Sequence, residues 1–292
     1  MKSNITLKKT AKPYLWIVIF VISLIMIFKL LPKPASSLTI FNNNSEIEAS
    51  QCPTLTPIES NKKASEYKLK SPFTLLNWNI YKQQKYQWQQ ALQELTIKAD
   101  FITLQEAKSS PTLQQFSKEM RMFTLHNAAF TYGGESFGVN TLSKYPTTSI
   151  CGSLATEPWI KIPKSGIASV YPINQDSGSL LLINLHAVNF TIGISNLKEQ
   201  LKPYILIIKQ HQGPIIFSGD FNTWNDQRLT LVTNIFVELG FKEVLFSEDN
   251  RSTVFGYPLD HIYFRGLKVI NEEVINSNAS DHNPMRVTFA FE

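Results

Sequence analysis

The stretch PIIFSGDFN, Pro214 to Asn222, reads as a short apolar strand that stops on a glycine, a carboxylate and an amide. An apolar run of this length, bounded by turn residues, is what a strand buried on both faces requires. A carboxylate set directly after such a strand does little for solubility. The arrangement recurs outward in both directions. FTLLNWN (Phe73 to Asn79) ends on Asn79, and FITLQ (Phe101 to Gln105) is followed by Glu106. SLLLINLHA (Ser179 to Ala187) carries His186 near its end, and LDHIYF (Leu259 to Phe264) has Asp260 at its start. Asp281 and His282 precede MRVTFAF (Met285 to Phe291), and GIASVYPI (Gly166 to Ile173) is a further strand-like run. Singly, each of these polar residues suits a turn or a helix cap. Together they supply several carboxylates, two side-chain amides and two imidazoles. That is the inventory for a hard cation held by oxygen ligands, with an acid, a base and oxyanion donors beside it.

Helical patterns lie between these runs. In KQQKYQWQQALQELTIK, Lys82 to Lys98, the residues Trp88, Ala91, Leu92 and Leu95 fall at i, i+3, i+4 and i+7, one face of a helix. Ser110 and Pro111 open another helix as N-cap and first-turn proline, burying Leu113 and Phe116. Residues 196–211 and 226–239 are helical in pattern, the first containing Pro203 and the second ending before Gly240. Strands interleaved with helices predict a layered α/β or α+β domain.

The segments WNIYK, LQEA, LHAVNF, SGDFN, LDHIYF and ASDHNP occur in the order characteristic of the endonuclease/exonuclease/phosphatase superfamily. Residues 71–292 resemble that superfamily throughout, and WNIYKQQ with HAVNF is most similar to its bacterial YafD-like branch. The resemblance implies a four-layered sandwich of two mixed β-sheets flanked by helices. It also implies hydrolysis of a phosphate ester with Mg2+, or Mn2+ in its place. By resemblance, Glu106 is the principal metal ligand, with Asn79 beside it and Asp281 as a second metal-side carboxylate. Asp220 and Asn222 position and deprotonate the attacking water, and Asp260 supports the imidazole of His282. His186 matches a histidine that contacts the phosphate in the DNase I and sphingomyelinase branches; Asn189 and Asn222 are expected at the substrate with it.

The physical reasons stand apart from the resemblance. A phosphodiester is anionic, so attack by water needs its charge offset, and a cation held by few protein oxygens leaves room for the phosphate. A carboxylate beside the water can take its proton. An imidazole paired with a carboxylate stays protonated and donates to developing charge, a role open to His282 and, from another side, to His186. Tyr81 stands where abasic-site endonucleases carry an acid, which argues against a close match to that branch. His261 should point away from the site if its neighbour Asp260 faces it. His126 and His211 read as surface or loop residues. VNFTIGISN (Val188 to Asn196) reads as packing on the core, and FTYGGESF (Phe130 to Phe137) as a turn into the next strand.

Composition narrows the partners. The chain has 292 residues and a formal net charge of +5. Residues 1–70 carry ten lysines and no arginine against four glutamates, whereas residues 71–292 carry 18 basic and 19 acidic side chains. The body therefore lacks the basic surplus of a tight, non-specific duplex binder. With 43% hydrophobic and 17% charged residues the chain is neither disordered nor a coiled coil. Its two cysteines, Cys52 and Cys151, exclude a cysteine-built zinc site and leave open one disulfide or two free thiols. Residues 1–13 read as a basic cytoplasmic end and Tyr14 to Leu31, YLWIVIFVISLIMIFKLL, as a transmembrane anchor, with a cleaved signal peptide as the competing reading. Residues 32–70 read as a polar linker, so that the catalytic domain, residues 71–292, stands in the periplasm at the inner membrane. The expected substrate is nucleic acid, with phospholipid or phosphoinositide as the alternative and an inactive binding module as a third reading. The sequence points to no protein partner.

Overall fold

The computed structural model describes residues 16–23, 31–43, 45–58, 67–174 and 178–292. Its principal strands are β1 (Phe73–Asn79), β2 (Phe101–Lys108), β3 (Phe123–Tyr132), β4 (Glu135–Ser143), β5 (Ser149–Thr156), β6 (Pro163–Pro172), β7 (Ser179–His186), β8 (Ile215–Asp220), β9 (Asp260–Arg265), β10 (Leu267–Val274) and β11 (Met285–Phe291). Four helices accompany them: α1 (Trp88–Thr96), α2 (Pro111–Glu119), α3 (Ser195–Gln210) and α4 (Asp226–Glu238). One sheet runs β10-β11-β1-β2-β4-β3 and the other β9-β8-β7-β6-β5, each extended by short strands at its edges. The pairs β1/β2 and β7/β8 are parallel and the other principal pairs antiparallel, so both sheets are mixed.

Side-chain alternation sorts these strands into layers. On β1, Leu76 and Trp78 pack with Leu92, Leu95, Leu113 and Phe116 of α1 and α2. On β7 and β8, Leu181, Ile183, Leu185, Ile215 and Phe217 pack with Leu201, Tyr204, Val232 and Phe236 of α3 and α4. The intervening positions, Phe73 and Leu75, Leu180 and Leu182, Ile216, Ile262 and Phe264, meet one another between the sheets. The order is helix, sheet, sheet, helix, in keeping with the expected sandwich.

The seam between the sheets changes character along its length. Past its apolar end, the inward positions become Asn77, Thr103, Gln105, Asn184 and Ser218, all buried. Thr103 donates to Asn77 Oδ1 at 2.8 Å, and Gln105 Nε2 donates to Asn77 at 3.0 Å and across the seam to Asn184 Oδ1 at 2.7 Å. Asn184 Nδ2 then reaches the Asn140 carbonyl at 3.0 Å. These bonds tie the two sheets together across the seam, although Asn77 Nδ2 and Gln105 Oε1 are buried without partners. Two residues further along, at the next inward positions, lie the strand ends that carry Asn79, His186 and Asp220.

Three expectations are corrected. The segment 32–70, read as a linker, is built into both sheets where it is described. Lys33–Pro34 and Ile40–Asn42 pair with β3, and Thr56–Pro57 pairs with β5. Ile40 is buried against Leu125, Val139, Ile150 and Ile167. Cys52 is joined to Cys151 of β5 by a disulfide. Runs of two or three residues carry no periodicity, which is why the sequence reads as a tether. His126, read as surface, is 3% exposed within β3. The loop after His186 divides: Val188 is buried, but Phe190 and Ile192 stand 56% and 77% exposed. Gly133 and Gly134 (φ 59° and 83°) make the two-residue turn joining β3 to β4, as the sequence suggests.

Of the stretch 14–31, residues 16–23 are helical, with Trp16 and Phe20 exposed. Residues 1–15 and 24–30, which include half of the expected anchor, lie outside the described residues. Among the described residues no helix is long and apolar enough to cross a membrane.

Candidate active site at the polar end of the seam

Asn79, His186, Asp220 and Asp260 occupy inward positions at the ends of β1, β7, β8 and β9. The register sets His186 against Asp220 and Asp220 against Asp260. Gly219 makes this close approach feasible: at φ 151°, a Cβ built there would lie 2.0 Å from the Leu185 carbonyl oxygen. Glu106 reaches the same side by another device. By strict alternation it would face the helices, but between Leu104 and Ala107 the ladder with β4 takes up one extra residue. Glu106 adopts φ 52° there, and the bulge turns its side chain toward the seam. His282 comes from the loop before β11, held by Trp78 Nε1, which donates to the His282 carbonyl at 2.8 Å.

Asp220 lies at the centre. Its Oδ2 accepts from Asn79 Nδ2 at 3.0 Å and its Oδ1 from the Asn222 backbone N–H at 2.9 Å. Asn222, at φ 51°, donates its own Nδ2 to the Ala187 carbonyl at 2.9 Å. Burial, reinforced by the nearby Asp260 charge and only partly offset by His282, raises the Asp220 carboxyl to about 6. A carboxylate at that value holds a proton weakly near neutral pH and can take one from water. His282 Nδ1 lies 2.6 Å from Asp260 Oδ2. Burial works against its charge, but Asp260, then Asp220 and Asp281, outweigh it and raise the imidazole to about 10. His282 is thus a fixed cation at neutral pH.

His186 differs from its expected role. Lys164 Nζ lies 2.9 Å from His186 Nε2, while Asp220 Oδ2 and Glu106 Oε1 stand off at 3.6 and 3.8 Å. Burial and the charges of Lys164, Lys82 and His282 hold the ring well below its ordinary range, so it is neutral and accepts from the lysine. Lys164 carries the positive charge at this position. Glu106 is ion-paired with Lys82 and lies 3.9 Å from Lys164 Nζ. Burial raises its carboxyl, yet Lys164 and Lys82 prevail and lower it, so it is ionised.

The remaining candidates are more dispersed. Asp281 is exposed; its Oδ1 accepts from Ser280 Oγ at 3.3 Å, and Ser280 also donates to the Asn79 carbonyl at 2.6 Å. No hydrogen bond or ion pair joins Asp281 directly to Glu106 among the described residues. Asn189 lines a cavity with Asn222, outside the carboxylate cluster. His261 faces the helices, as alternation predicts: its Nδ1 meets Glu243 at 2.7 Å and its Nε2 meets Thr223 Oγ1 at 2.7 Å. Sequence reasoning did not single out Lys82 and Lys164, since nothing local marks a single lysine, nor Arg228. Arg228 is fully buried. Its guanidinium donates to the Asn222 carbonyl at 2.6 Å, to Thr191 Oγ1 at 3.0 Å and to the Val188 carbonyl.

The donor set fits a hard divalent cation. Glu106 and Asn79 present oxygens, and the Glu106 carboxylate already draws two ammonium groups. Asp220, Asp260 and His282 offer atoms within 4.8 Å of one another, and Asp260 Oδ1 is buried without a partner. His282 is a poor ligand in that trio, because an imidazolium bound to a carboxylate has no lone pair to give.

The comparisons identify the family and the fold. The profile of the Endonuclease/Exonuclease/phosphatase family matches residues 76–282. A UPF0294 protein of Vibrio vulnificus is 41% identical over 216 residues, which is 74% of this chain and 76% of that protein. Among solved structures, an endonuclease/exonuclease/phosphatase from Beutenbergia cavernae superposes with a TM-score of 0.60 at 14% identity, covering 76% of this chain and 72% of that one. D. rerio TDP2, complexed with a single-strand DNA product, gives 0.56 at 16% identity over 75% of this chain and 99% of that one. At these identities the structural likeness bears on the fold.

Proposed function

The chain belongs to the endonuclease/exonuclease/phosphatase family, and from that premise we propose that it is a metal-dependent phosphodiesterase, using Mg2+ or Mn2+, tethered to the inner membrane through residues 14–31 with its body in the periplasm. The observation that carries the reading is the setting of Asp220, fixed through both oxygens by Asn79 and Asn222 and raised to about 6. Asp220 takes a proton from the attacking water, and its two hydrogen bonds hold it in one orientation as it does so. His282, kept protonated by Asp260, donates to the phosphoryl oxygens where charge develops. Lys164, backed by neutral His186, brings a second cation to the phosphate. Glu106 and Asn79, with Asp281 from the neighbouring loop, would hold the metal, which when bound offsets the charge of the diester.

The test follows hydrolysis of a chromogenic phosphodiester, and of its monoester counterpart, by the full chain with and without Mg2+. Asp220→Asn should lower turnover of the diester by about a hundredfold or more. Undiminished turnover in that variant, or in the wild type stripped of divalent cations, would refute the reading. The substrate classes left in contention are nucleic acid and phospholipid.

A further inference from the structure

Two cavities meet at the candidate active site. The inner one, about 150 Å3, is lined by Lys82, Glu106, Lys164 and His186. The outer one, about 580 Å3, is lined by Trp159, Ile192, Trp224 and Phe255 together with Asn222. Ile160 and Phe190 belong to both walls, so the two cavities are halves of one groove. The outer half is apolar and open to water: Phe255 is 85% exposed and Trp159 64%. Contiguous apolar surface of this kind, beside a polar site, marks an interaction surface. The two halves are mechanically joined, since Arg228 binds the loop bearing Phe190 and Ile192 to the Asn222 carbonyl.

The ligand this groove complements has one anionic group next to a hydrocarbon. Lys82 and Lys164 stand at the inner end, whereas no residue lining the outer half carries a charge. A polynucleotide repeats its phosphate along the strand, and proteins that hold one meet those phosphates with Lys and Arg. The outer half has none to offer, and the body has no basic surplus to compensate.

The route of the chain indicates where such a ligand comes from. Lys33 and Pro34, which follow the apolar stretch 14–31, pair with Thr131 and Phe130 of β3. Ala35 N–H then bonds the Ala129 carbonyl at 2.9 Å. Both Ala129 and Phe130 line the inner half of the groove. The chain that follows the apolar stretch thus enters the body along a wall of the groove, and a bilayer that took up that stretch would be a nearby source of such a ligand.

We propose that the groove binds a bilayer phospholipid, with the phosphodiester at Lys82 and Lys164 and acyl chain in the outer half. The proposal rests on the phosphodiesterase reading and names the substrate class of that same site. Trp159, Phe190, Ile192 and Phe255 form the lip that meets the acyl region.

The test titrates the full-length Asp220→Asn protein, held in a maltoside detergent at fixed concentration, with three probes: glycerophosphoglycerol, monomeric dihexanoylphosphatidylglycerol and hexathymidylate. Each methylene that enters the outer half should tighten binding by about three- to fourfold. The acylated diester should therefore bind at least tenfold tighter than the deacylated one. Ile192→Ser and Phe255→Ser should each cut that advantage by threefold or more, with an unchanged thermal midpoint showing the fold intact. Equal binding of the acylated and deacylated diesters overturns the proposal, as does tighter binding of hexathymidylate than of either. Wild-type turnover of the two diesters is followed in parallel. Acyl-dependent binding without turnover refutes the hydrolase reading and supports the groove; turnover indifferent to the acyl chains does the reverse.

Discussion

Replacing Asp260 with asparagine should change the dependence of catalysis on pH more than its maximum. Asp260 is the largest influence raising His282, to about 10 against an ordinary 6.5. Asparagine keeps the shape and a hydrogen bond to Nδ1 but removes the charge, and burial then acts on the ring unopposed by its nearest partner. His282 falls from about 10 toward its ordinary 6.5, with Asp220 and Asp281 still supporting its charge. At pH 8 the wild-type ring is about 99% protonated and a ring returned fully to 6.5 about 3%, so the loss in the active form is up to about 30-fold. At pH 6 the same comparison gives a loss of about 1.3-fold. The measurement is kcat/KM for a chromogenic diester in Mg2+ across pH 5.5 to 9, with thermal melts to confirm folding. The wild-type alkaline limb should extend past pH 9 and the variant's should begin near pH 6.5. A loss of equal size at pH 6 and pH 8 would refute the claim that Asp260 acts by keeping His282 charged.

Three other outcomes follow from the structure. The disulfide between Cys52 and Cys151 spans 99 residues, so reduction should lower stability to denaturant by about 4–5 kcal/mol; an unchanged midpoint would show that the bond does not restrain the unfolded chain. His126 is lowered by burial to about 4 from 6.5, with Nε2 3.0 Å from Ser136 Oγ and Nδ1 unpartnered. The unfolded chain therefore binds this proton first as pH falls, and stability drops between pH 6.5 and 4 by up to about 3 kcal/mol, while it is fully present above 6.5. His126→Gln should flatten that part of the wild-type stability–pH curve, and superimposable curves would exclude His126 as its source. Arg228→Lys cannot reach the Asn222 and Val188 carbonyls and Thr191 together, and should cost about 2–3 kcal/mol in urea while lowering kcat for the diester; full activity at reduced stability would separate the clamp from catalysis.

The parts of this fold that are legible in sequence are those where one physical demand dominates. β1, β7 and β8 are covered on both faces, and their apolar runs say so. α1 and α4 present one apolar face each, and spacing reveals it. β3 and β4 are not legible, because Thr124, His126, Asn140 and Thr141 are polar residues buried by tertiary pairing, and that pattern imitates a loop. The edge strands at Lys33–Pro34 and Thr56–Pro57 are two residues long and exist only because a sheet edge receives them. Within the site, Asn79, Asp220 and Asp260 are visible since strand ends converge at one end of two packed sheets. The orientation of Glu106 depends on a bulge, the neutrality of His186 on burial and on a lysine from β6, and the exposure of Ile192 on a loop held by Arg228. None of these is a local property of the chain.

From Cys52 onward, two links join the N-terminal segment to the rest of the molecule. One is the peptide chain running on into β1. The other is the sulfur bridge into β5, reinforced by pairing with β3. A protease that cuts between Pro57 and Leu69 severs the first link only, and the two pieces stay joined as a two-chain protein. Separation of the two pieces after a cut there needs a second event, reduction of the Cys52–Cys151 bond, whereas a cut before Cys52 needs none.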